Sequence, residues 1–227
     1  MDQANKIRTR GTNVELVFDH LHHEINSLSL LPGTRISEAD IAARFGVSRQ
    51  PVRDAFNRLA NLELVVIQPQ KATVVRKFSI QAITKARFIR TAVEVEVLRK
   101  ASEVCDGKCA KLLDQCLQKQ RKIVAAEDYD AFHEQDYIFH KSLCEIALLP
   151  YAFEVISSEK AKVDRLCALS LSGEKRLGQL LEDHEQIASN IKHGNTEKAV
   201  AAGRLHLTRL DVTIEGVLAK HPEYFED

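Results

Sequence analysis

The chain has 227 residues, 44% hydrophobic and 28% charged, which suits a soluble globular protein of one large domain or two smaller ones. Lys+Arg and Asp+Glu are equal at 32 each, so the chain is not a uniformly basic nucleic-acid coat. No apolar run approaches the roughly 18 residues that a bilayer helix needs. The N-terminal MDQANKIRTRGTN has no hydrophobic signal region, and five cysteines without a CxxC pair read as reduced thiols. The expectation is a cytoplasmic protein with no membrane partner.

In chain order, Val14, Val17, Phe18, Leu21, Ile25 and Leu28 have helical spacing, and Pro32-Gly33 ends that segment. Ser37 opens a second short helix with Asp40 as a capping-box-like partner, and Ile41 and Phe45 form its apolar side. Gly46 breaks it, and Ser48 is expected to cap a third helix running to about Asn61. Pro51 falls in that helix's first turn, where a missing N–H costs nothing. Leu64–Ile67 and Thr73–Val75 are β-branched runs flanking Gln68-Pro69-Gln70-Lys71 and read as a small hairpin. After Phe78 the pattern is about six long helices, broken near Asp106-Gly107, Asp128–Asp130, Pro150, Ser172-Gly173 and Gly194-Asn195. The charge follows the same division. Residues 1–78 hold 11 Lys+Arg and 8 Asp+Glu, a balance of +3, and residues 79–227 hold 21 and 24, a balance of −3.

The third helix carries the first functional signal. Val52, Ala55, Phe56 and Leu59 form one apolar face, with Arg49, Gln50, Arg53 and Asn57 along its flank. Two cations at a helix N-terminus oppose the helix dipole, so they are suited to an anion from outside. Guanidinium groups bind guanine or phosphate through two donors, and amides read adenine. With Ser48 at its mouth and Lys71 at the hairpin tip, the segment has the layout of a helix-turn-helix with a wing. The competing account is that the arginines form surface ion pairs with Asp54 or other acids.

PGTRISEADIAARFGVSRQPVRDAFNRLANLELVVIQPQ resembles the winged helix-turn-helix of GntR-family transcriptional regulators over roughly residues 12–77. Relatives often carry a glycine in the wing turn, where this chain has Ala72, and a basic or polar residue where it has Ala39. The resemblance implies that Ser48, Arg49, Gln50, Arg53, Asn57 and Lys71 contact double-stranded DNA.

A second constellation lies among the later helices. In FHEQDYIFHKSLCEIA, Asp136 and His140 are four residues apart and share a side, which continues onto Leu143, Cys144 and Ala147. His184 shares a face with Ile187, Ala188 and Ile191, and His206 with Ala199, Ala202, Gly203 and Leu210. A single histidine on an apolar face is usually a satisfied core residue. Three, with an aspartate, would be satisfied together by a divalent ion, Zn²⁺ foremost, with Ni²⁺, Mn²⁺ or Fe²⁺ also compatible. Spacing alone leaves the core and metal readings open.

The pattern also resembles the FadR-like branch of the GntR family, whose helical FCD domain holds a metal on a D-x-x-x-H helix and two later histidines. That resemblance covers about residues 79–219 and maps the ligands onto Asp136, His140, His184 and His206. ARFIRTAVEVEVLRKAS resembles the domain's first helix, with Arg90 and Glu94 in an R-x-x-[apolar]-E pattern. Relatives often place that arginine near the effector; the alternative is a plain salt bridge to Glu94. Leu149 stands where an asparagine often follows the metal helix.

The expectation is therefore a mainly α protein: a winged helix-turn-helix over 1–78 and an all-α, FCD-like bundle over 79–227. It is expected to act as a homodimeric transcriptional regulator, a repressor in its commoner mode, on a short palindromic operator. The bundle would hold a divalent metal and a small carboxylate effector. Two rivals stand beside it. One is a regulator whose bundle only dimerises around a structural metal. The other is a metal-dependent hydrolase, which the absence of HExxH and of an evident nucleophile motif disfavours.

Overall fold

The structure, a computed structural model, describes residues 2–68, 71–170 and 176–226, with side chains described except at 2–12 and 170. Its elements are α1 Asp2–Asn26, β1 Arg35–Ile36, α2 Glu38–Phe45, α3 Arg49–Asn61, β2 Val65–Val66, β3 Thr73–Val75, α4 Ile80–Val104, α5 Gly107–Ala125, α6 Tyr129–Ile146, α7 Ala152–Ser170, α8 Arg176–Lys192 and α9 Thr196–Lys220, followed by a 3₁₀ turn, Pro222–Tyr224. The expected Ser172-Gly173 break and the wing residues Pro69-Gln70 lie outside the described residues. No helix among the described residues is long and apolar enough to cross a membrane.

The chain forms two compact units, Met1–Ile80 with Lys220–Asp227, and Gln81–Ala219. In the first, α1, α2 and α3 close around Val17, Leu21, Ile25, Ile41, Val52, Phe56 and Leu59. Ser37 caps α2 by accepting from Asp40 N–H, and its own hydroxyl donates to Asp40 Oδ2 at 2.7 Å. Gly46 ends α2 at φ 63, a left-handed conformation that glycine adopts without a Cβ clash, and the chain turns directly into α3. The hairpin forms with Val65 opposite Val75 and Val66 opposite Val74.

The structure departs from the expectation in four places. The first helix ends at Asn26, and Leu28 has φ 63. A third strand, β1, pairs antiparallel with β3 and gives the sheet order β1-β3-β2. Ser48 stands at the N-cap of α3 with extended backbone but makes no side-chain cap hydrogen bond. The last residues do not stay with the helical bundle. Phe78 N–H donates to Tyr224 O at 2.8 Å, Glu226 N–H donates to Phe78 O at 2.8 Å, and the Phe78 and Phe225 rings meet at 5.4 Å. Both phenylalanines are buried. The tail thus pairs with the segment just after the wing.

The second unit is α4 to α9 around one core of Leu98, Leu113, Phe139, Leu143, Ile156, Ile187 and Ile191. Asp106 and Asp128 cap α5 and α6 by accepting first-turn N–H groups. A Cβ at Gly203 would overlap Leu98 Cδ1, so on α9 this position packs directly against the Leu98 side chain of α4.

Candidate metal centre and nucleic-acid face

Three helices bring the polar cluster together. Asp136 and His140 stand one turn apart on α6, His184 is on α8 and His206 on α9. All four are buried, and one donor atom from each lies within 4.8 Å of the others. Asp136 Oδ1 is 3.3 Å from His184 Nε2 and 3.8 Å from His140 Nε2. Both Nε2 atoms are nevertheless buried without a hydrogen-bond partner among the described residues, as is Nδ1 of His206. A buried polar atom left unpaired costs about 1–3 kcal/mol, and the two Nε2 atoms turned toward Asp136 share that cost.

The opposite edges of two rings are held. His140 Nδ1 lies 2.9 Å from Glu94 Oε2, and His184 Nδ1 lies 2.9 Å from Gln120 Oε1. Carbonyl and carboxylate oxygens only accept, so each Nδ1 carries the proton and each Nε2 presents its lone pair to the centre. That is the tautomer a metal-bound imidazole needs. His206 lies 3.6 Å from Asp183, whose carboxylate is also gripped by Arg209 at 2.7 and 2.9 Å. Two ligands bound at about 2.1 Å stand at most about 4.2 Å apart. The donor set therefore fits a first-row divalent ion after a closure of a few tenths of an ångström.

Electrostatics follow from burial and pairing. Burial pushes the His184 imidazole down to about 4, past the opposing pull of Asp136, so the ring is neutral at pH 7. Burial alone would raise Asp136, but Lys160, His184 and His140 outweigh it and hold the carboxylate well below its usual range. Glu94 is likewise lowered, burial being outweighed by Arg90 and His140. Asp183 falls to about 2, because the nearby His206 ring and the hydrogen bonds from Arg209 outweigh burial.

A cavity of about 80 Å³, partly open to solvent, adjoins the cluster. Its wall includes Asp136 and His206, the cations Arg90, Lys160, Arg176 and Arg209, and apolar Phe132, Val163, Leu180 and Leu210. Arg90 is 7% exposed, and its Nε donates to Glu94 Oε1 at 2.8 Å. The salt bridge and the cavity position thus occur together.

Several residues here went unread in the sequence. Lys160 on α7 bonds Asp136 at 3.1 Å and Asp164 at 2.7 Å, and lies 4.1 Å from the Tyr137 ring centroid. Burial would lower its ammonium, but Asp136 and Asp164 leave it raised. His133 lines the cavity 3.6 Å from Asp164. The spacing Lys160-x-x-x-Asp164 and the adjacency of Asp183 to His184 are signals that were available; Gln120 has no local one.

On the first unit, α3 buries Val52, Ala55, Phe56 and Leu59 and exposes Arg49, Gln50, Arg53 and Asn57. Lys71 is exposed too. The first turn of α3 has no acidic residue, and its uncapped N–H groups stand beside the Ser48 hydroxyl, an arrangement that accepts an anion. Two of the four exposed polar groups already have partners. Arg53 donates to both oxygens of Glu38, at 3.0 and 2.9 Å, and Gln50 donates to Asp54 at 2.8 Å. Arg49 has no hydrogen bond or ion pair among the described residues. The surface-pairing account thus holds for Arg53, through Glu38 rather than Asp54.

Residues 13–75 match the bacterial regulatory proteins of the gntR family, and residues 86–209 match the FCD domain. The HTH-type transcriptional repressor RspR of Escherichia coli K12 is 32% identical over 93% of this chain and 92% of its own length. The gluconate operon transcriptional repressor of Bacillus subtilis 168 is 26% identical over 99% of this chain and 96% of its own. Among solved structures, a transcriptional regulator GntR from Rhodococcus sp. RHA1 superposes with a TM-score of 0.71 at 24% identity, covering 90% of this chain and 98% of that one. At that identity the likeness is one of fold.

Proposed function

The chain belongs to the GntR family of bacterial regulatory proteins in its FCD-domain form, a DNA-binding transcription regulator and not an enzyme, and from that premise we propose that it is a metal-containing, effector-responsive repressor. The observation that carries the metal is the meeting of the partnerless Nε2 atoms of His140 and His184 with Asp136 and His206 in one buried cluster. Asp136, His140, His184 and His206 would hold a divalent transition ion, Zn²⁺ first among candidates. When bound, the ion would supply open coordination positions for oxygen donors. Glu94 and Gln120 fix the ring tautomers, and Arg90 adds a guanidinium to the cavity wall. Open positions on the ion, with the Arg90 and Arg176 guanidiniums on the wall, favour a small carboxylate as effector, and the relatives named as repressors favour repression over activation.

The DNA face would be α3, with Ser48, Arg49, Gln50, Arg53 and Asn57 in the major groove and Lys71 of the wing against the backbone or minor groove. One winged helix has a small footprint, so tight binding calls for a homodimer on a palindromic operator. Such a protein works where the chromosome is, in the cytoplasm. Effector occupancy would change operator affinity by binding the two arrangements of the dimer unequally.

The decisive experiment combines elemental analysis of tag-free protein with operator binding by fluorescence anisotropy, with and without a panel of sugar acids and hydroxy acids. About one transition-metal ion per chain, and an acid that changes operator affinity by roughly 5- to 150-fold, are expected. An operator affinity that no acid changes would leave only the dimerising role for the bundle, and metal-free protein that responds equally to the acid would take the metal out of the effector site.

A further inference from the structure

We infer that the cavity beside the cluster is built for an effector carrying two negative charges, a dicarboxylate rather than a monocarboxylate, and that Lys160 and Asp164 set this preference. This deepens the metal reading above and rests on it.

Lys160 determines what Asp136 has left to offer. Its buried ammonium lies 3.1 Å from Asp136 Oδ2, while Oδ1 of the same carboxylate faces the two histidine Nε2 atoms at 3.3 and 3.8 Å. One oxygen is committed to the lysine, so Asp136 has one oxygen for an ion, and its charge is already answered. Lys160 is fixed from behind by Asp164 at 2.7 Å, whose other oxygen accepts from the Tyr137 hydroxyl.

The remaining charges of the wall come in pairs. Arg90 is matched by Glu94 and Arg209 by Asp183. That leaves Lys160 between Asp136 and Asp164, and Arg176, whose buried Nε has no hydrogen-bond partner among the described residues. Four cations therefore stand against four carboxylates. The protein neutralises itself before any ion enters. A divalent ion on three neutral imidazoles then adds two positive charges that nothing in the wall compensates. His184 is 0% and Asp136 8% exposed, so water screens these charges poorly. A monocarboxylate leaves one charge over; a dicarboxylate leaves none. Arg176 is the wall donor with hydrogen-bonding capacity to spare, a partner for the carboxylate that the ion does not take.

The test is calorimetry and thermal melting on full-length, metal-loaded protein with matched acids: oxalate against formate, succinate against butyrate, glucarate against gluconate. In each pair that binds, the dianion is expected to bind at least about tenfold tighter. Two variants move the count in opposite directions. Lys160→Met removes a positive charge and should shrink the discrimination at least fivefold. Asp164→Asn removes a negative one and should enlarge it. Lys160→Arg keeps the charge and should keep the discrimination, which separates charge from folding. Metal content is measured on every sample, so loss of the metal reading shows as metal-free wild type and not as a change in anion preference. Equal binding of mono- and dianions by metal-loaded wild type, discrimination unchanged in Lys160→Met and Asp164→Asn, or no response to any dianion, oxalate included, would each overturn the inference.

Discussion

The Nδ1 atom of His140 lies 2.9 Å from Oε2 of Glu94, and that contact decides which nitrogen of the ring faces the centre. Glu94 is ionised and can only accept, so Nδ1 carries the proton and Nε2 is left with a lone pair. The same carboxylate takes the Arg90 guanidinium at 2.8 Å on its other oxygen. One residue of α4 therefore sets both the metal-side tautomer and the position of the arginine on the cavity wall.

Glu94→Gln should break this arrangement without emptying the space. The amide can present its NH₂ to the ring and permit the wrong tautomer, and it no longer answers the arginine's charge. Metal affinity is expected to fall roughly 10- to 100-fold, the usual cost of losing an orienting partner. A chelator-competition titration of wild type and variant measures it. Equal affinities would show that Glu94 serves Arg90 alone.

Acid should destabilise the metal-free protein in a defined window. His184 titrates near 4 in the folded chain against 6.5 when unfolded, because burial disfavours its charged form. Between these values the unfolded chain binds the extra proton, so stability rises with pH and falls on acidification. The loss should begin as pH drops through 6.5 and reach about 3 kcal/mol near pH 4. Asp136 and Glu94, held below the carboxylate range, add losses only below about pH 4.5. Urea titrations of chelator-treated protein at pH 7, 6 and 5 check the slope. In His184→Gln the portion above pH 4.5 should shrink to the share of His22, which burial also lowers.

Much of this was legible because periodicity reports burial. The apolar face of α3 and the shared side of Asp136 and His140 follow from helical spacing alone, and the structure buries both. The illegible parts depend on distant partners. β1 is two residues long and shows no alternation; it exists because β3 offers it a ladder. The tail was placed with the all-α bundle, and nothing local shows that Phe225 packs on Phe78 and is buried. Lys160 looks like a surface lysine on α7 until Asp136 arrives from α6 to answer its charge. The partner of Arg53 was illegible because Glu38 belongs to another helix, fifteen residues away.

That last pair gives a prediction on the DNA face. Glu38 sits beside the base of α3 and holds Arg53 in two hydrogen bonds. It preorients the arginine but adds a negative charge close to where phosphates would lie. Arg49→Ala should weaken operator binding roughly tenfold and relax specificity if the side chain reads a base. Glu38→Gln should instead strengthen non-specific DNA binding and narrow the gap between operator and random sequence. Anisotropy titrations at several salt concentrations separate the two, since loss of a phosphate contact lowers the salt slope by about one per contact. Unchanged affinity and slope in Arg49→Ala would remove it from the interface.

The tail offers a stability test in the same unit. Phe225 is 4% exposed, packs on Phe78 and is held by two backbone hydrogen bonds flanking the contact. Truncating a buried phenylalanine removes its transfer free energy and leaves a void, so Phe225→Ala should cost about 3 kcal/mol. The loss belongs to the winged unit, because Phe78 directly follows the wing and loses its cover there. Hydrogen exchange should then rise at the amides of Phe78 and Glu226, the two donors of the paired segment, and hold steady through α5, α6 and α8. A variant that keeps wild-type protection at Phe78 would mean the tail merely lies on a surface stable without it. Phe225→Leu, which restores most of the apolar volume, should recover most of the lost stability and separate packing from any effect of the backbone pairing.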